Sequence, residues 1–287
     1  MTPTFGCVIL TMGKRPKEFA AALESLKSQR GVDLDIVVVG NGWNPAPETT
    51  GVKTVFLPEN VGIPAGRNAG AVEVSGEYLF FLDDDVKILN DNVLGRFAEI
   101  LQKHVKTGLL QPRIVEAEGG QTPRRWIPRL IIGDPMRPSL ATTLAEGAVV
   151  IRRELFDEIG GWPANFYYGH EGIELVWQVY NHGYTAWYIT EVSVEHPIVS
   201  PARHEYFYRL NARNRVWLAR RNLPFPIGQI YLLNWFGLSV LRMRSFPSAL
   251  AWLKGFTNGF LTNPGKQEKL SWSAIWKLTK AGRPPII

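Results

Sequence analysis

Tyr78-Leu79-Phe80-Phe81-Leu82-Asp83-Asp84-Asp85 is the stretch on which the fold turns. Five consecutive apolar residues mark a strand buried on both faces, as in a parallel sheet covered by helices. Such a strand delivers three carboxylates to the carboxyl edge of the sheet, where ligands of open α/β sheets bind. Like charges this close repel, and desolvation adds to the cost, unless a cation sits among them. Oxygen donors at i and i+2 suit Mg²⁺ or Mn²⁺, which commonly share their shell with phosphate oxygens. One reading of the triplet is a metal–diphosphate site; the other is a solvated acidic turn.

The flanking sequence extends the pattern in both directions. Phe5 to Thr11 has the character of a buried strand, and Lys17 to Gln29 carries Phe19, Leu23 and Leu26 at helical spacing. Asp35 to Val39 and Lys53 to Leu57 are further strands, and a helical stretch at Arg67 to Val74 leads into Tyr78. Beyond the triplet come a strand at Ala148 to Ile151, a short helix at Arg153 to Ile159 and the turn Gly160-Gly161-Trp162. A helix over Glu171 to His182 stops at Gly183, and Thr185 to Ile189 is a strand. Strands alternating with helices predict an α/β fold, a mostly parallel sheet flanked by helices. Residues 111–140, with five prolines and the knot Arg124-Arg125-Trp126, suit a surface loop over a site.

The 287 residues suffice for one large domain plus an appendage, and 45% hydrophobic with 20% charged content is ordinary for a globular chain. Cys7 is the single cysteine, which rules out a disulfide framework and predicts a reducing, cytoplasmic setting. Met1 to Cys7 lacks a basic region, so no signal peptide is expected. The net charge of +6 is unevenly spread: residues 201–287 hold 14 Lys/Arg against Glu205 and Glu268, whereas the first 200 residues hold 18 basic and 24 acidic side chains. A division at residue 200 follows, with an α/β domain over 1–200 and a basic, aromatic-rich helical region over 201–287. Such polarity favours an anionic partner, and an anionic membrane surface or phosphorylated substrate fits better than nucleic acid, which would meet an acidic first domain.

Tyr206 to Asn222 is a basic, aromatic-laced helix, and Ile227 to Leu241 is apolar, followed by Arg242-Met243-Arg244. The apolar run falls short of the roughly 20 residues that span a bilayer. It is either an interfacial or re-entrant helix, with Trp235 and Trp252 at the headgroup level, or a buried core helix.

Several short segments occur in a telling order: Val8-Ile9-Leu10-Thr11, Val37-Val38-Val39-Gly40-Asn41-Gly42, Asn60-Val61-Gly62 with Arg67-Asn68, Phe81-Leu82-Asp83-Asp84-Asp85, Gly160-Gly161-Trp162, His170-Glu171 and a late His196. Over roughly residues 5–220 the chain resembles family-2 inverting glycosyltransferases of the GT-A (Rossmann-like) fold, similar in layout to bacterial rhamnosyl- and galactofuranosyltransferases of cell-surface glycan assembly. The resemblance implies a nucleoside-diphosphate sugar as donor, UDP- or dTDP-linked ahead of GDP-linked, with Mn²⁺ or Mg²⁺. It also implies inversion at the anomeric carbon and a glycan or polyprenyl-linked acceptor in cell-envelope synthesis at the inner face of the plasma membrane. By the same analogy Asp85 and His196 bind the metal, Asp83 approaches the ribose and Asp84 is its neighbour. Thr11, Arg15, Asn41, Arg67 and Asn68 line the nucleotide pocket, while Arg213 and Trp162 serve acceptor or diphosphate.

Two positions depart from that family pattern. Many relatives carry Asp where this chain has Gly40, and the usual catalytic Glu-Asp pair is replaced by Glu171-Gly172-Ile173-Glu174. An inverting transfer needs a carboxylate to accept the acceptor proton. Glu171 is the candidate base, with Glu174 one turn on to share the task, although a helix N-terminus also suits a carboxylate as a cap. Two other readings compete: a nucleotidyltransferase, for which Gly13-Lys14-Arg15-Pro16 is a weak glycine-rich loop, and a sugar-nucleotide- or glycan-binding protein without catalysis.

Overall fold

The computed structural model describes residues 1–116, 122–198, 205–243 and 245–287. Arg244 and the boundary near Pro201 lie outside the described residues. The N-terminal half builds β1 (Thr4–Thr11), α1 (Pro16–Lys27), β2 (Asp33–Asn41), β3 (Lys53–Leu57), α2 (Ile63–Ala71), β4 (Tyr78–Asp83), β5 (Lys87–Ile88), α3 (Val93–Lys103) and β6 (Thr107–Val115). There follow β7 (Ser139–Leu140), β8 (Ala148–Arg152), α4 (Arg153–Ile159), α5 (Glu171–Asn181) and β9 (Thr185–Glu195). The chain closes with α6 (Glu205–Asn222), α7 (Ile227–Arg242), α8 (Phe246–Leu261) and α9 (Trp272–Lys280).

The strands form one sheet in the order β3-β2-β1-β4-β8-β6-β9-β5, with β7 paired to β9. Pairing from β3 to β4 is parallel, as is the long β6–β9 register, while β8 runs antiparallel between β4 and β6. Helices cover both faces, as the continuous apolar runs require. On β1 and β4, Phe5, Cys7, Ile9, Phe80 and Leu82 pack with Phe19 and Leu23 of α1 and Phe97 and Leu101 of α3. Their alternates Val8, Leu79 and Phe81 face Phe156 of α4 and Leu175 and Val179 of α5. Each fully buried side chain of this kind contributes about 1.5–3 kcal/mol of apolar burial.

Several expectations shift. α2 begins at Ile63 rather than Arg67, because Pro64 in the first turn presets the helical φ and loses no needed N–H. Residues 111–115, the start of the expected loop region, instead belong to β6, which runs through the sheet with Pro112 inside it. The helices α3, α8 and α9 had no counterpart in the sequence reading, though α3 buries Val93, Leu94, Phe97 and Leu101 at clear helical spacing.

The C-terminal helices pack onto the helical layer beside the sheet, with Trp217, Tyr231, Ile275 and Leu278 in the same apolar cluster as the sheet's α5 face. α8 lies close on α6 because Gly255 and Gly259 face it: a Cβ on Gly255 would come 2.1 Å from the Arg209 carbonyl oxygen. No helix among the described residues is long and apolar enough to cross a membrane. The two tryptophans expected at a membrane interface are differently employed. Trp252 is buried and stacked on Phe256 at 4.8 Å, and the Trp235 ring carries the Arg215 guanidinium at 3.5 Å. Exposed apolar groups on this hairpin are instead Leu233, Phe236, Leu241, Phe246 and Leu253.

Candidate active site

The carboxyl ends of β1, β2 and β4 open onto a cavity of about 530 Å³, lined by Thr11, Arg15, Asn41 and Asp83 to Asp85. A second cavity of about 280 Å³ contains Arg67, Glu146 and Glu171. Asp83, His196, Ile63 and Tyr168 line both, so the two meet at the acidic triplet.

Asp83, Asp85 and His196 each offer a ligand atom, all within 4.8 Å of one another. His196 reaches the triplet because its N–H extends the β6–β9 pairing, donating to the Val115 carbonyl at 2.9 Å. Its Nδ1 lies 2.7 Å from the Pro197 carbonyl, which can only accept, so Nδ1 carries the proton and Nε2 faces Asp85 Oδ1 at 3.5 Å. Burial, with Asp83 adding to it, raises the Asp85 carboxyl against the opposing pull of His196 and Arg15. Keeping this group ionised therefore asks for more positive charge. Two carboxylates and an imidazole fit Mn²⁺ better than Mg²⁺.

Around that group the neighbours are committed in specific ways. Arg15 is ion-paired to Asp85 and Thr11 Oγ1 donates to Asp84 at 2.6 Å. Burial foremost, then the flanking aspartates, push Asp84 up to about 6. Asn41 lines the cavity but its amide is spent: Nδ2 donates to Asn60 and to the Gly62 carbonyl, and Oδ1 accepts from the Val61 N–H. It fixes the loop before α2. At Gly40 a side chain is excluded outright, since a Cβ would meet the Trp43 carbonyl oxygen at 1.9 Å.

Arg67 is 2% exposed and bridges two carboxylates, reaching Asp83 Oδ1 at 2.7 Å and Glu146 Oε2 at 2.9 Å. Burial lowers its guanidinium pKa, but Asp83 and Glu146 raise it by more, so it stays charged. Its plane lies over the Trp162 ring at 4.7 Å. The structure therefore places Arg67 behind the triplet, holding Asp83 and lining the smaller cavity rather than the larger. Asn68 is likewise turned away: it brackets Trp162, donating to its carbonyl and accepting its N–H. Trp162 itself is buried edge-on against Phe81 at 5.3 Å and offers no face for stacking on a sugar.

The carboxylates of α5 separate. Glu171 opens onto the second cavity, 2% exposed, and its buried Oε2 has no protein partner. Burial first, then the Glu146 carboxylate, hold its pKa well above the ordinary range. Glu174, one turn on, faces α6 and is gripped by Arg221 at 2.6 Å and by Asn222 at 2.7 Å. That pairing ties α5 to α6 and takes Glu174 out of the site. Arg213 also lies apart: its guanidinium sits over Trp217 at 4.1 Å and donates to the Phe166 carbonyl.

Two residues outside the sequence-based candidates shape the site. Glu146, in the loop before β8, arrives because β8 pairs antiparallel with β4, and the Asp83 N–H donates to the Gly147 carbonyl. Asn214 of α6, fully buried, donates to the carbonyls of Phe166, Tyr168 and Gly169. It clamps a segment in which Tyr167 and His170 hold positive φ, a strained arrangement that surrounding contacts must maintain. Asn214 adjoins the candidate Arg213 in the chain, whereas nothing in its local sequence marks Glu146.

Solved glycosyltransferases share this fold. GalNAc-T7, crystallised with UDP, GalNAc and Mn²⁺, superposes with a TM-score of 0.66 at 15% identity over 99% of this chain and 58% of that one. S. aureus TarS 1-349 gives 0.61 at 18% identity, covering 89% of this chain and 80% of its own. The Pyrobaculum calidifontis mannosyltransferase PcManGT, in complex with GDP-Man and Mn²⁺, gives 0.58 at 16% identity over 100% and 78%. A Haemophilus influenzae protein described as an uncharacterized glycosyltransferase is 41% identical over 54 residues, spanning 19% of this chain and 22% of that protein. The description Glycosyl transferase family 2 matches residues 7–160, more than half of the chain and including the whole acidic triplet. The protein belongs to glycosyl transferase family 2.

Proposed function

We propose that the protein is a metal-dependent inverting glycosyltransferase. It moves a sugar from a nucleoside-diphosphate sugar to a glycan or polyprenyl-linked acceptor in cell-envelope polysaccharide synthesis. The observation that carries this reading is the pair of cavities meeting at Asp83 and His196. A donor seated in the larger one brings its diphosphate to Asp85 and His196, and an acceptor in the smaller one approaches the anomeric carbon from the side of Glu146 and Glu171. Asp83, Asp85 and His196 would hold the metal, which when bound neutralises charge on the departing diphosphate.

The remaining roles belong to the chain itself. Arg67 occupies Asp83 Oδ1 and so orients Oδ2 for the ribose or the metal. Thr11, Arg15 and Asp84 form the donor wall, with Arg15 exposed enough to reach a phosphate. The donor is a UDP- or dTDP-sugar ahead of a GDP-sugar, as the family resemblance implies. The division near residue 200 is graded rather than sharp: residues 1–200 supply the candidate metal ligands and most of the donor cavity, Tyr206, Phe207 and Leu210 of α6 complete that cavity's wall, and the rest of 201–287 lies peripherally on the anionic inner face of the plasma membrane.

Melting temperature in the presence of UDP-, dTDP- and GDP-sugars, with and without Mn²⁺, tests the reading. A rise with a UDP- or dTDP-sugar only when Mn²⁺ is present, followed by nucleoside diphosphate release from that sugar, is expected. No shift and no release with any donor would refute it.

A further inference from the structure

Gly172 stands at the second residue of α5, where the side of the helix turned to the smaller cavity would normally carry a side chain. Its Cβ position is already taken. A Cβ built there would lie 2.4 Å from Glu146 Oε1 and 2.9 Å from both Glu146 Cγ and Cδ. Glu146 thus fills the volume of a side chain at residue 172, and the absent side chain leaves the Gly172 N–H free to donate to Glu146 Oε1 at 2.8 Å. Its other oxygen accepts from Arg67. With two oxygens held by two donors, the carboxylate has a fixed orientation. It is 21% exposed, and the exposed part faces the cavity that Asp83 and His196 also line.

Glu171, the neighbouring carboxyl, differs in each of these respects. It is almost wholly buried, and its Oε2 finds no donor in the protein. Two adjacent carboxyls in so little water cannot both ionise, and the one with a guanidinium and a backbone N–H keeps its charge. Burial raises both carboxyls, but Arg67 and the Gly172 N–H pull Glu146 back toward the carboxylate, whereas the neighbouring Glu146 pushes Glu171 further toward the acid. Protonated, Glu171 acts as a positioning residue that supports Glu146 from behind.

We propose that Glu146, supplied by the loop before β8 and seated against the backbone of Gly172, is the general base of the transfer. This rests on the glycosyltransferase reading above. As the acceptor oxygen forms its bond to the anomeric carbon, the acceptor O–H bond breaks toward Glu146. The bond from the anomeric carbon to the phosphate oxygen breaks at the same time, its electron pair leaving with the nucleoside diphosphate. Glu146 ends as a carboxylic acid and returns its proton to solvent.

The test uses the full chain and the nucleotide sugar giving the largest Mn²⁺-dependent melting shift, with octyl glycosides and water as acceptors. Glu146→Gln keeps the shape and should lower the turnover number by roughly 10²–10⁴-fold, the usual worth of a positioned base. The donor-induced melting shift should persist. Glu171→Gln should lower turnover by less. Gly172→Ala pushes the Glu146 carboxylate aside without removing charge, so it should also lose turnover, which keeps the proposal testable if Glu146→Gln does not fold. In the reciprocal design, Glu146→Ala with Gly172→Asp returns a carboxylate to the same volume and should recover at least about tenfold over Glu146→Ala alone. Glu146→Gln or Gly172→Ala turning over within threefold of the parent, with donor still bound, overturns the assignment. So does Glu171→Gln losing more than Glu146→Gln. A parent protein that binds no nucleotide sugar instead refutes the underlying transferase reading.

Discussion

The carboxyl edge of β4 and the α7–α8 hairpin are opposites in how their side chains are partnered. At the edge, each of the three aspartates has a named protein partner: Asp83 has Arg67, Asp84 has Thr11, and Asp85 has Arg15 and His196. On the hairpin, Leu241 and Phe246 are 82% and 80% exposed at the tip, beside Arg242, and bury nothing. Charges gathered in partial burial must be balanced locally, so the first region is organised for an electrostatic task. Apolar side chains presented to water beside a cation suit a surface that is itself apolar beneath an anionic layer. Under the proposed function, the contrast separates the chemistry at the edge from a membrane attachment through the hairpin, and each can be disturbed without the other.

The largest effect should come from the edge. Asp85→Ala removes one of the three candidate metal ligands and leaves Arg15 and His196 without their carboxylate. Turnover should fall by at least about 10²–10³-fold, the scale of losing one element of transition-state charge stabilisation. The Mn²⁺-dependent melting shift with donor should vanish, as it should for the parent protein in excess EDTA. A retained shift would move the metal away from Asp85.

Next in size is Arg67→Met. Its buried side chain bridges Asp83 and Glu146, and removing it leaves two partly exposed carboxylates without their shared cation. Breaking a fully buried pair from one side costs about 3–5 kcal/mol; with the remaining carboxylates partly solvated the loss should be smaller, about 1–3 kcal/mol, read as a lower midpoint in urea unfolding. An unchanged midpoint would mean that water already satisfies these carboxylates, and the edge would then resemble the hairpin more than supposed.

Legibility in the sequence follows the same division. The run Tyr78 to Leu82 announced a strand covered on both faces because every residue in it is apolar, and β4 is buried throughout that run. The triplet was readable because strand and carboxylates are adjacent in the chain. Glu146 was not, since only the antiparallel β4–β8 pairing brings it beside Asp83, and such pairing leaves no local mark. Residue type also misled where facing decides the role. Trp162 and Arg213 looked suited to a sugar or a phosphate, yet one is buried against Phe81 and the other is spread over Trp217. Glu174 sits about 4.5 Å further along the α5 axis than Glu171, enough to exchange the cavity for Arg221 of α6.

The hairpin should yield the smallest effect on the protein in solution and a clear one at a membrane. Leu241→Glu combined with Phe246→Glu alters two side chains that touch little, so the urea midpoint should stay within about 0.5 kcal/mol of the parent and turnover on a water-soluble acceptor should be unchanged. Cosedimentation with vesicles containing phosphatidylglycerol is the sensitive measurement. Each apolar side chain lost from the bilayer surface gives up about 1.5–3 kcal/mol of burial, and each new carboxylate is repelled by the anionic headgroups. Binding should therefore fall at least about tenfold. High salt should weaken parent binding without abolishing it, because screening removes the contribution of Arg242 and its basic neighbours but leaves the apolar one. Equal binding of parent and double variant would show that the hairpin meets something other than lipid, and the two regions would then have to be compared as two protein surfaces rather than as a site and its anchor.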